Sequence, residues 1–151
     1  MEDLIYQSEV AFELGAVEDA AHSCGYLLQR KEVAGVAFLD ILVTPPPYPK
    51  IWQWVKASKE TVNTLVRRDP ERMVPHASGT AYVIDFPTST LPELAAFLKR
   101  LLLVYGGWVG LEDDGAEDEM VAVYDAADVE TIVEHALFAP ASLRNIPPGE
   151  N

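Results

Sequence analysis

Residues 33–43, VAGVAFLDILV, constrain this chain more than any other stretch. The run is nearly all apolar and rich in β-branched residues, so it predicts a strand buried on both faces in the middle of a sheet. A strand of that kind needs neighbours on both sides and cover above and below, and the rest of the chain must supply them. Asp40, a carboxylate inside the run, is its one anomaly. The segment that follows, TPPPYP at 44–49, cannot donate enough backbone hydrogen bonds to continue a strand, and Pro49 suits the first turn of a helix.

Before the run, Tyr6, Val10, Phe12 and Leu14 alternate with polar positions, the period of a strand with one wet face. From about 16 to 31, Val17, Ala20, Ala21, Cys24, Leu27 and Leu28 recur at helical spacing. After the prolines a helix is expected over about 50–68, with Ile51, Trp52, Trp54, Val55, Val62, Leu65 and Val66 on one face. RRDPERMVPHASG then reads as a loop and TAYVIDF, residues 80–86, as a strand. Residues 90–107, TLPELAAFLKRLLLVYGG, carry the clearest helix signal: Thr90 and Glu93 have the spacing of a capping box, and Gly106 is placed to end the helix in a left-handed conformation. WVGL and EMVAVY predict two more strands. Asp125 can cap a last helix with a stripe of Val129, Ile132, Val133, Ala136 and Leu137.

The expected order is β-α-β-α-β-α-β-β-α. It points to an α+β fold, a two-layer sandwich with helices on a mostly antiparallel sheet of about five strands, with a three-layer α/β fold as the alternative. Residues 1–139 are expected to form one domain and 140–151 a C-terminal tail.

Charge narrows the partners. Of 24 acids and 11 Lys or Arg, residues 101–151 hold 11 acids and the single base Arg144, so −10 of the net −13 lies in the last third. Such a field repels nucleic acid and anionic lipid and draws cationic partners. No run of eighteen apolar residues appears and the acidic start lacks the basic flank of a secretory signal, so a soluble, cytoplasmic chain is expected. The single cysteine, Cys24, cannot close an internal disulfide and reads as a small buried thiol on its helix stripe.

Six of the eight positions from Glu112 to Glu119 are carboxylates. An EF-hand needs an oxygen ligand where this segment has Gly115 or Ala116, so that pattern fails. His22 and Cys24 are too close for a structural zinc pair, and GGWVG follows a helix where a phosphate loop must precede one. No metal and no cofactor are therefore expected. Catalytic signals are thin: Asp40 could pair with Asp85 if their strands are neighbours, His76 sits in a plausible loop, and His135 reads as a surface residue. Lys50, Lys56, Lys59, Arg67, Arg68 and Arg72 gather around the second helix as a solvated face.

The leucine-rich helix, GGWV, the acidic LEDDG turn and the strand running into DAAD, together Pro92 to Tyr124, resemble the C-terminal part of small acidic bacterial toxin-immunity proteins. The likeness covers about a fifth of the chain. It implies a non-enzymatic inhibitor whose carboxylates meet basic residues of a toxin encoded beside it. On that reading Glu112, Asp113, Asp114, Glu117, Asp118 and Glu119 form a docking surface and Trp108 an aromatic anchor, although Trp108 leading a strand also suits a core position. The competing expectation is a small ligand-binding domain or enzyme with a cleft between the sheet and an inserted loop.

Overall fold

The computed structural model describes residues 2–67, 70–112 and 121–133. Its elements are β1 (Glu2–Gln7), α1 (Leu14–Ser23), β2 (Leu27–Val33), β3 (Val36–Leu42), β4 (Ile51–Lys56), α2 (Lys59–Val66), β5 (Ala81–Phe86), α3 (Leu91–Tyr105), β6 (Trp108–Glu112) and β7 (Val121–Tyr124). A 3-10 turn, Thr88–Thr90, leads into α3. The fold is α+β. One sheet of seven strands runs in the order β2-β3-β4-β5-β1-β6-β7, every neighbouring pair antiparallel.

The sheet is larger than expected because two segments with helical apolar spacing are partly strand. Residues 16–31 divide at Gly25, whose φ of 81° stops the chain continuing as a helix, and 27–33 pair with β3 instead. Ala34 and Gly35, both at positive φ (52° and 81°), turn that hairpin in two residues, as the right-handed twist of paired strands favours. The 33–43 run thus starts with the turn itself. Its second half is β3, next to the edge strand β2, with Leu39 and Ile41 buried under the helices while Val36 on the other face is 44% exposed. Burial on both faces is therefore not what this strand has. Asp40 lies on the same face as Val36 yet is only 7% exposed, with Lys31 Nζ 3.2 Å away and Gln53 Nε2 donating to it at 3.3 Å.

Residues 51–56, expected as helix, form β4. Trp52 and Trp54 both point into the core and Gln53 between them does not, a period of two that two tryptophans two apart already satisfied. The proline segment is the connection of the β3–β4 hairpin, closed by Val43 N donating to Lys50 O at 2.8 Å. The helix begins later, at Lys59, with the Ser58 hydroxyl accepting from Thr61 N at 3.1 Å.

The first strand also lies earlier than its alternation suggested. β1 is central, between β5 and β6, and Leu4, Ile5, Tyr6 and Gln7 are all buried, so it has no wet face. Phe12 and Leu14 reach the core from a loop and a helix start, and Val10 is 58% exposed. That loop is pinned to the start of β5: Ser8 N and Oγ donate to Thr80 O, Thr80 N donates to Ser8 Oγ, and Tyr82 OH donates to Phe12 O at 2.6 Å.

One face of the sheet carries Leu4, Tyr6, Leu39, Ile41, Trp52, Trp54, Tyr82, Ile84, Val109 and Leu111, covered by α1 through Val17 and Ala21 and by α3 through Leu94, Leu98 and Leu101. On the other face, among the described residues, Val62 and Leu65 of α2 and Met73 pack on Ile5, Ala81, Trp108 and Val123. Helices on both faces depart from the two-layer expectation. No described helix is long and apolar enough to cross a membrane.

α3 matches its expected range closely, but Thr90 does not cap it. The Thr90 hydroxyl donates to Pro87 O at 2.7 Å and accepts from Trp52 Nε1 at 2.9 Å, so its oxygen serves the core. Gly106 ends the helix at φ 69° and ψ −167°, outside the left-handed helical well and in a region open essentially to glycine alone.

Candidate functional site

The acidic residues sit between two paired strands. Glu112 is the Cα partner of Val121 at the end of the β6–β7 ladder, and Asp113, Asp114, Glu117, Asp118 and Glu119 lie outside the described residues. β7 is an edge strand, so Glu112 pairs at the margin of the sheet.

At the root of this hairpin a cavity of about 410 Å³ opens between β6, β7 and the segment that precedes β5; its walls include Arg72, His76, Trp108, Tyr124, Asp125 and Asp128. Trp108 is 4% exposed and its indole N–H donates to Val74 O at 2.8 Å. It forms a wall of the cavity and a support for residues 73–76, and offers a partner no protruding side chain. Asp125 and Asp128 lock the chain as it leaves β7: Ala127 N donates to Asp125 Oδ1 at 2.9 Å and Asp125 N to Asp128 Oδ1 at 2.6 Å. The bond is the one expected of Asp125, but it closes a turn over 126–130, and the described helical residues begin only at 131. Val129 and Ile132 behind it are fully buried, as the stripe predicted, while Ala136 and Leu137 lie outside the described residues.

Arg72 supplies the one guanidinium here, donating to Val123 O at 2.6 Å. Burial pushes the Tyr124 phenol up to about 12; nearby Asp128 adds to the shift and Arg72 opposes it. The phenol is neutral at physiological pH. Two carboxylates, each with an oxygen left beyond its backbone bond, and two aromatic walls suit a basic or amide-bearing side chain, while the Arg72 guanidinium opposes a cation on its own side of the recess.

A second cavity, also about 410 Å³, lies on the far side of His76, between the start of α2 and residues 75–81. Gly79 is required there: a Cβ on it would sit 1.7 Å from Ser8 O, so only a glycine lets this segment lie against β1's end. His76 is thus the histidine that both cavities share. Asp40 and Asp85 line neither. Their strands are not neighbours, because β4 runs between them and Gln53 is the Cα partner of both.

Cys24 is exposed, not buried, because α1 stops at Ser23 and leaves it past the stripe; its sulfur accepts from Arg100 Nη1 at 2.9 Å. His135 lies outside the described residues. Among the described residues no group of three His, Cys, Asp or Glu is placed to hold a metal ion. Lys56 and Lys59, expected on a solvated face, are exposed and border the second cavity. What brings them there is the β4–α2 junction inside the supposed helix, and the signal for it was the Ser58 cap position.

No protein-family model matches the chain, nor does any curated protein or solved structure.

Proposed function

We propose that this protein is a non-enzymatic binding module that meets a basic protein partner at the acidic end of its sheet, in the manner of an immunity protein that neutralises a toxin. The observation that carries the reading is the charge distribution: 11 acids against Arg144 alone in residues 101–151. The cavity at the root of the hairpin, at the other end of the β6–β7 ladder from Glu112, supports it, since Trp108, Tyr124, Asp125 and Asp128 make a recess suited to an incoming lysine or arginine. Steering by clustered charge raises association rates and is weakened by salt, whereas a side chain seated in a recess governs dissociation.

The test uses the product of the adjacent reading frame, the partner that the immunity resemblance implies, together with the variant E112Q/D113N/D114N/E117Q/D118N/E119Q. Binding to the unmodified chain is expected, with an association rate that falls as salt rises and falls about tenfold or more in the variant, within the range that electrostatic steering commands. Absence of binding, or a rate indifferent to both salt and the six substitutions, refutes it.

A further inference from the structure

We propose that the cavity between the start of α2 and residues 75–81 binds a small organic phosphate. Its polar lining includes Lys56, Ser58, Lys59, Asn63, His76 and Thr80 with the Gln7 amide, and among the described residues no carboxylate contributes to it. In a chain with 24 acids and 11 Lys or Arg, a recess with two lysines and no acid reverses the sign of the molecule as a whole. An anion attracted there escapes the repulsion it meets elsewhere on the surface.

Three further features fit a phosphate. Lys59 is the first residue of α2, so the positive end of the helix borders the recess. Gln7 is 4% exposed, and its Nε2 donates to Ser8 O at 3.0 Å; an amide nitrogen carries a second N–H, held rigidly in the cavity wall. Lys56 is not committed elsewhere, since its contact with Glu13 is 3.9 Å long between side chains 59% and 80% exposed, a pair of little strength. Apolar Val62, Pro75 and Ala81 complete the lining and give the ligand's carbon body a surface. About 410 Å³ lies at the lower end of the range for small-molecule sites, which sets the size of that body.

The full-length, ¹⁵N-labelled chain is titrated with phenyl phosphate, with inorganic phosphate and with benzyl alcohol, at ionic strength held constant with NaCl. Saturable shifts are expected at the amides of Ser58, Lys59, His76 and Gly79, with phenyl phosphate binding more tightly than inorganic phosphate and benzyl alcohol leaving them unmoved. K56Q/K59Q is expected to weaken phenyl phosphate by about tenfold or more, the loss of charge-assisted hydrogen bonds, with the remaining spectrum unchanged. Shifts that do not saturate, that spread over lysines and arginines elsewhere, or that survive K56Q/K59Q overturn the proposal, as does equal binding of benzyl alcohol. The acidic hairpin takes no part in this readout, so the result is independent of any protein partner.

Discussion

Trp52 and Trp54 stand on the same strand, point into the same core and are both fully buried. Both pack on Phe97, at ring separations of 5.4 and 5.9 Å. They differ at one atom. The Trp52 indole N–H donates to Thr90 Oγ1 at 2.9 Å, whereas Trp54 Nε1 is buried with no hydrogen-bond partner among the described residues. Replacing either by Phe removes the same atoms and leaves a similar void, so the shared packing loss cancels on comparison. W52F forfeits a hydrogen bond worth about 0.5–1.5 kcal/mol, while W54F relieves an unsatisfied buried donor that costs about 1–3 kcal/mol. W54F is therefore expected to be the less destabilising of the two by about 2 kcal/mol. T90V should orphan the Trp52 N–H and also free Pro87 O, and combined with W52F it should cost less than the two single changes added, by about 1 kcal/mol. Urea unfolding followed by far-ultraviolet circular dichroism reads all four variants without depending on tryptophan emission. If W54F costs as much as W52F to within about 0.5 kcal/mol, the normal limit of additivity, the assigned difference between the two indoles is wrong.

Gly79→Ala places a methyl group against Ser8 O and should destabilise the chain by about 2–3 kcal/mol, the upper part of the usual range, in the same urea assay; a loss near zero would mean that residues 75–81 are not pressed against the end of β1. The buried tyrosines predict a loss of stability at high pH. Burial raises Tyr6, Tyr82 and Tyr124 in the folded chain, Tyr124 from 10.0 to about 12, so the unfolded chain gives up its phenolic protons first. Their contribution is complete below pH 10, where the unfolded phenols are still protonated, and is lost as pH rises towards about 12. Denaturant midpoints should hold up to pH 10 and fall beyond it, and Y124F should flatten part of that fall; a midpoint that is level from pH 10 to 12 contradicts the burial of these phenols.

Features that depend on neighbours three or four residues away, and on composition, can be read directly from the amino-acid order. α3 has a seven-residue buried set at a period of 3.6 and a glycine at its end, and its range is legible to within two residues. The β6 and β7 strands, the Asp125 side-chain bond and the buried Val129 and Ile132 are legible for the same reason, and so is the charge imbalance of the C-terminal third. Where a segment with both periods goes is set by its partners in the fold. Leu27 and Leu28 satisfy a helix stripe, and Trp52 and Trp54 fit one, yet the first pair joins β3 and the second is held between β3 and β5, because a ladder on each side of β4 takes up its backbone groups and buries two indoles. The cavities depend on the same decision. Lys56, Lys59 and His76 are up to twenty positions apart and meet only because β4 and β5 are hydrogen-bonded neighbours, with α2 folded over the face that β1 and β6 share. Local periodicity records which side chains share one face of one element; it holds no information about which element comes to lie beside it.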